Sequence, residues 1–400
     1  MKSVSFALII LSAFNATAFA QEARRDQSPL EFGIPERQVE NRISFNLSKM
    51  QIRALHATTG KKVDLKLKDI VINGDSLRPK RINSRGQSTL MYKRKSLSIR
   101  LTSKAEFQHG EAMESMKDFK LLSLSMDKYY CHNRLAFELM ETVGLHHLFY
   151  SFCELQINDS SEGIYMVIER PEDWAFIKKE SPVIIRRGFD HTIDEIKTEN
   201  ITDRDEKKKY IAHYEAIYDM LDKYEGERLF QVLYAYMDID HYMTWLAFNF
   251  LIHNGDYADE VFFYFDPQVN KYRIIPWDCD DILASSPHEG LKQRNVTIGG
   301  KLLFSSEDML DIKIANDPYL YSRYLKRLKE LLESITPDVL KMSIEQTYAE
   351  LYPYYSDEKI ISNVQYDCYK DASLENLETY LSQIYQLLFD YRKTYLEYLE

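Results

Sequence analysis

The apolar residues change their spacing part-way along the chain, and that change limits the fold more than any other feature. Up to about residue 170 they alternate with polar ones. Val63, Leu65 and Leu67 do so, the run continues through Ile70 to Ile72, and Ser96 to Leu101 repeats the pattern. A two-residue period puts one apolar face on a strand. Asn73-Gly74-Asp75 is a hairpin turn signal, and Asn158 to Ser161 joins two further strands, Phe152 to Ile157 and Gly163 to Ile168. Phe119 to Leu124 adds a short strand, and a helix from about Tyr129 to Thr142 ends at Gly144. Beyond that point the spacing becomes helical, over 204–224, from a cap at Asp240 to His253, over 319–332 and over 374–399. Thr336-Pro337 reads as a cap followed by proline at the first helical position. Only the pair Val261 to Phe265 and Tyr272 to Ile275 interrupts with strands. The expectation is an α+β protein, with an antiparallel sheet in one part and mainly helices in the other.

The ends and the charge narrow the setting. Lys2, the apolar run Phe6 to Leu11 and Ala18-Phe19-Ala20 form an export signal over residues 1–20, cleaved after Ala20. Residues 21–42 are polar and aperiodic, as in a flexible leader. No second apolar stretch reaches membrane-spanning length, so no transmembrane segment is expected after cleavage. The expected destination is the periplasm or the medium. A net charge of -11 disfavours nucleic acid as a partner. Cys131, Cys153, Cys279 and Cys368 form no CxxC pair, which argues against a zinc site. Cys279 reads as a small buried residue. The 29 tyrosines read as rings packing helices, with their hydroxyls at the surface.

The chemistry concentrates in His253-Asn254-Gly255-Asp256 and Ile275-Pro276-Trp277-Asp278-Cys279-Asp280-Asp281. A helix end, a hairpin and a strand end would bring Asp256, Asp278 and Asp280 to one edge. Hard cations such as Mg²⁺ take oxygen ligands of this kind and fill the rest of their shell with water and phosphate. Asp278 and Asp280 lie two apart, which on an extended strand points them to one side. Turn and helix-cap aspartates are common, but two acidic clusters bracketing one hairpin are not explained by capping alone. Trp277 reads as core packing.

The run from Met237-Asp238 to Asp256, then Phe262 to Tyr264 and Ile274 to Asp280, resembles the CotH kinase family, first known from spore coat protein H. So do Arg85-Gly86-Gln87-Ser88, Lys95-Ser96, Lys120-Leu121-Leu122 with Asp127, Gly163-Ile164-Tyr165 with Glu169, Asp317-Pro318 through Leu332, and Phe389 to Arg392. The resemblance spans about residues 60 to 395. It implies a two-lobed, distant protein-kinase-like fold over 43–400, with an N-lobe of about 43–185 and a C-lobe of about 186–400. It also implies Mg²⁺ or Mn²⁺ with ATP bound between the lobes, and phosphate transfer to Ser or Thr of exported proteins. On the matching positions, Asp256 would be the catalytic-loop acid, and Asp278 and Asp280 the metal-holding acids. Arg85 and Lys95 would contact phosphate, with Glu169 orienting a basic residue. Two departures stand out. The asparagine that the family places four or five residues after Asp256 is replaced by Glu260 and Val261, so either Glu260 serves as a metal ligand or that position is absent. His132 stands where the family often has arginine. These departures bear on turnover more than on fold. They leave two other readings: an inactive kinase-like scaffold or adhesion protein of the envelope, and a metal-dependent phosphoester hydrolase using the same carboxylates.

Overall fold

Hairpins organise the first part of the chain. In the computed structural model, which describes residues 30–145, 147–188, 192–257, 261–287, 300–304 and 308–400, thirteen strands form two sheets. The nine strands of the larger sheet are β1 (Arg42–Phe45), β2 (Asp64–Leu65), β3 (Ile70–Ile72), β4 (Asp75–Leu77), β5 (Pro79–Ser84), β6 (Leu97–His109), β7 (Ala112–Leu122), β8 (Tyr150–Ile157) and β9 (Ser160–Glu169). Their order is β2-β5-β6-β7-β9-β8-β1-β3-β4. Asn73 and Asn158-Asp159 take the left-handed backbone that tight hairpins need, which is why those turns could be read from sequence. The expected all-antiparallel sheet is corrected at one place. β1 pairs β8 in parallel, because the chain crosses the sheet between them.

Residues 30–42 of the expected leader pack against the fold, and the rest of it lies outside the described residues. Phe32 packs on Tyr348 with ring centroids 4.8 Å apart, and Arg37 lies 3.6 Å from Glu350. The signal segment 1–20 lies outside the described residues. No described helix is long and apolar enough to cross a membrane.

Alternation decides what each face of the large sheet does. Leu97, Ile99 and Leu101 of β6 join Phe119 and Leu121 of β7 in an apolar cluster closed by helix α1 (Lys49–Leu55). Full burial of side chains like these stabilises by about 1.5–3 kcal/mol each. The intervening residues point the other way. In-register rows place Arg85 beside Ser96, and Asn83 beside Ser98, Lys120 and Ile168. The second face is thus polar along β5 to β7 and apolar at β8 and β9, where Phe152, Ile164, Met166 and Ile168 join the core of the rest of the chain.

The second part is not only helical. β10 (Val183–Arg187), β11 (Ile193–Thr198), β12 (Val261–Asp266) and β13 (Lys271–Ile275) form an antiparallel sheet in the order β11-β10-β12-β13. The sequence reading found only the β12–β13 hairpin. The main helices are α2 (His132–Thr142), α3 (Arg204–Asp219), α4 (Gly226–Tyr236), α5 (Ile239–Leu251), α6 (Met309–Asn316), α7 (Pro318–Ser334), α8 (Pro337–Tyr355) and α9 (Leu374–Leu399); α4 and α5 pack on β13, and α8 packs on α2, α9 and β8. The cap of α5 is Asp238, whose carboxylate accepts from the His241 amide at 3.2 Å, not Asp240. Asp240 sits in the first turn and meets Arg323 and Arg327 instead. The tyrosines are a larger correction. Tyr214, Tyr242, Tyr272 and Tyr324 are at most 1% exposed. Several hydroxyls are spent indoors, as where Tyr242 donates to Asp311 at 2.6 Å and Tyr324 to the Leu302 carbonyl at 2.6 Å.

Candidate active site

Two loops carry the acids, and backbone bonds stitch them together. The first leaves α5 at Ile252, turns through His253 (φ 48) and reaches Asp256. The second leaves β13 and runs from Pro276 to Ala284. Gly255 donates to the Asp281 carbonyl at 2.9 Å, Leu283 to Ile252 at 2.8 Å and Ala284 to His253 at 3.0 Å. A Cβ on residue 255 would lie 2.0 Å from an Asp281 carboxylate oxygen and 3.0 Å from the Ala284 Cβ, so any larger residue there would displace the Asp281 side chain. Asn254 is fully buried. Its amide donates to Asn249 at 3.0 Å and to the Asp278 carbonyl at 3.2 Å, while its carbonyl oxygen accepts from the Asp256 amide.

The two aspartates of the second loop share a side for a different reason from the one expected. The strand has already ended at Ile275, and Asp278 is left-handed (φ 53). The loop is held from below by α2. Asn133 Oδ1 accepts from the Cys279 amide at 3.1 Å, and His132 Nδ1 lies 2.9 Å from the Asp280 carbonyl oxygen. Asp127 in turn caps α2, accepting from the amides of His132 (2.8 Å) and Asn133 (3.0 Å). Burial pushes the Asp127 carboxyl up to about 7, against those hydrogen bonds. Cys279 is fully buried and its thiol is raised by burial, as expected of a packed residue.

Asp256, Asp278 and Asp280 line one cavity of about 200 Å³. Arg85, Gly86, Gln87, Ser88 and Thr89 form part of its wall, with Arg186 from β10 and Ile168 from β9. Gly86 is left-handed (φ 97), and a Cβ there would lie 2.0 Å from the Thr89 hydroxyl, so the loop that carries Arg85 closes only around glycine. Trp277 lines the same cavity. It packs edge-on to Phe262 as core, yet its face also carries cations: Lys120 Nζ lies 4.1 Å from the ring centroid and Arg85 Cζ 6.0 Å.

Arg85, Asp256, Asp278 and Asp280 are thus brought together, and two other sequence candidates are not. Lys95 is 2% exposed and absent from the cavity wall. Its ammonium donates to the carbonyls of Leu90 (2.8 Å) and Tyr92 (2.7 Å), tying down the far end of the Arg85 loop, and burial lowers its pKa. Glu169 does orient a basic residue, but that residue is Lys178, 3.0 Å away. The cavity wall takes the neighbouring Ile168 instead, because successive strand residues face opposite ways. Glu260 lies outside the described residues. Sequence reasoning missed Arg186, Asn133 and Lys120 at the site. The available signal for Arg186 was a pair of arginines closing the apolar run Val183-Ile184-Ile185.

Among the described residues no group of three or more His, Cys, Asp or Glu is arranged to hold a metal ion unaided. The donor set nevertheless suits a hard cation that takes its other ligands from phosphate. The Asp280 carboxyl is pushed well above its usual range, first by burial and then by the negative charges of Asp278, Asp127, Asp256 and Asp281. Acids crowded this way gain from a positive charge among them.

Residues 82–388 match the family described as CotH kinase protein. The chain belongs to the CotH kinase family. Membership makes it a kinase-like protein, and such a family uses ATP and a divalent metal. No curated protein matches it. Among solved structures it is similar to the Helicobacter pylori proinflammatory kinase CtkA. There the identity is 13% and the TM-score 0.28, over 74% of this chain and 94% of that one. It is also similar to a chain of the Shewanella oneidensis MR-1 toxin–antitoxin complex of HipA, HipB and operator DNA. There the identity is 11% and the TM-score 0.34, over 96% of this chain and 72% of that one.

Proposed function

We propose that this CotH kinase family member is an exported protein kinase that transfers the γ-phosphate of ATP to Ser or Thr of secreted or envelope proteins. The observation that carries the reading is one cavity shared by three acids from two loops and by Arg85 from the loop that follows β5. Asp256 orients the attacking hydroxyl and accepts its proton. Asp278 and Asp280 hold a divalent cation, Mg²⁺ or Mn²⁺, which when bound neutralises phosphate charge. Arg85 and Arg186 act on the same charge from the facing wall. Phosphoryl transfer depends mainly on such positioning and neutralisation, and fixed groups perform it without reorganising. Asp278 and Asp256 are tied through Asn254, so the metal-holding and hydroxyl-orienting acids keep a set separation. Lys95 enters this reading as the residue that steadies the Arg85 loop, and Lys120 as a cation presented over Trp277.

The test is incubation of the purified chain with Mn²⁺ or Mg²⁺ and γ-labelled ATP, with and without an envelope extract, beside Asp278→Ala. Label on protein that falls about 100-fold or more in the variant supports the kinase. Free phosphate without labelled protein would replace it with a hydrolase. Saturable ATP binding with neither product would replace it with the scaffold reading, which the change to Glu260 and Val261 favours.

A further inference from the structure

We propose that the closing helix α9 positions the acid loops through two histidine–tyrosine pairs, one pair for each loop. The inference rests on reading Asp256, Asp278 and Asp280 as the acids of the site. It gives two tyrosine hydroxyls of this helix a task that packing alone does not.

The first pair acts on the Asp278–Asp280 loop. His132 is 4% exposed and lies between two oxygens: the Asp280 carbonyl, 2.9 Å from Nδ1, and the Tyr380 hydroxyl, 2.6 Å from Nε2. A carbonyl can only accept, so Nδ1 carries the proton. On its other side Nε2 meets the Tyr380 hydroxyl, so the ring links the helix to the loop in one hydrogen-bonded chain: Tyr380, His132, Asp280. The second pair acts on the Asp256 loop. His253 begins that loop, its Nε2 lies 2.9 Å from the Tyr395 hydroxyl, and its ring stacks on Tyr391 with centroids 4.3 Å apart.

Tyr380 and Tyr395 are fifteen residues apart, about 22 Å along one helix. One rigid rod therefore reaches both loops at separate points. The rod is anchored without these hydroxyls, because Leu377, Leu381, Ile384 and Leu388 are at most 1% exposed. Removing either hydroxyl should leave the helix docked and free only the loop it holds. Partners that orient a metal site from behind typically change metal affinity or activity about 10- to 100-fold when lost.

The experiment compares the full chain with Tyr380→Phe and Tyr395→Phe. Three readouts are taken: hydrogen exchange of the loop amides, Mn²⁺ dependence of ATP-induced thermal stabilisation, and phosphoryl transfer. Tyr380→Phe is expected to speed exchange most at residues 278–281 and to raise the Mn²⁺ midpoint roughly ten-fold. Tyr395→Phe is expected to speed exchange most at 254–256 and to slow transfer with the Mn²⁺ midpoint little changed. His132→Asn keeps a donor for the Asp280 carbonyl but loses Tyr380. It should behave like Tyr380→Phe and better than His132→Ala. Wild-type exchange and midpoints in both tyrosine variants would overturn the inference. So would equal losses of melting temperature, midpoint and rate in both. If the wild type shows no response to Mn²⁺ and ATP while exchange still changes loop by loop, the positioning stands and the proposed function falls.

Discussion

Arg186 and Arg187 are neighbours on β10, and their guanidinium groups meet opposite surroundings. Arg187 is fully buried, 3.3 Å from Asp308 and 2.8 Å from the Tyr242 hydroxyl, which itself donates to Asp311. Arg186 lines the cavity with Asp256, Asp278 and Asp280, and it forms an ion pair with the exposed Asp194 at 3.2 Å. The strand's alternation is what separates them. Arg187 thus has a structural task, whereas Arg186 stands at the candidate site. The structural charge is answered by carboxylates sealed in beside it. The acids at the cavity crowd one another, and Arg85 and Arg186 line the same cavity.

Replacing each arginine tests this contrast. Arg187→Met leaves Asp308 and Asp311 buried without their cation and should cost on the order of 3–5 kcal/mol, read by denaturant unfolding. Arg186→Met should leave unfolding within about 0.5 kcal/mol of wild type. It should instead weaken ATP-induced stabilisation about ten-fold, the loss expected for one charged hydrogen bond. Equal destabilisation by both variants would erase the distinction.

The sealed cluster also makes a smaller prediction about pH. Burial and Asp308 push the Asp311 carboxyl up to about 7, against Arg187 and the Tyr242 hydrogen bond. A carboxyl raised on folding stabilises most below its unfolded value of about 4, and that contribution is lost as pH climbs to about 7. Asp311→Asn keeps an acceptor for Tyr242 and cannot ionise. Relative to wild type it should gain roughly 2–3 kcal/mol between pH 5 and pH 8, measured by thermal unfolding at each. A flat difference would show that Arg187 compensates both carboxylates fully.

What could be read from the sequence followed how local each signal was. The hairpins at Asn73-Gly74 and Asn158-Asp159, the cap at Thr336 and the helix Leu374–Leu399 depend on neighbours in the chain, and all four appear. The three acids were legible because a hairpin brings their loops together. Arg186 was not, because its position depends on β10 pairing with β12, far along the chain. Lys95 shows the converse. Its place beside the RGxS element suggested phosphate, yet two carbonyls within five residues had already taken its ammonium. The tyrosine hydroxyls failed for a similar reason, since their acceptors lie in distant segments.

The stitching of the two acid loops has an evolutionary consequence. Their shape is held by main-chain bonds, Asn254 and Gly255, none of which needs the carboxylates of Asp256, Asp278 or Asp280. A descendant that lost one of those carboxylates would keep these bonds, and a kinase of the proposed kind would pass to an inert relative by a single codon change. The telling mark of a lineage that has stopped catalysing would be a lost acid beside an intact Asn-Gly.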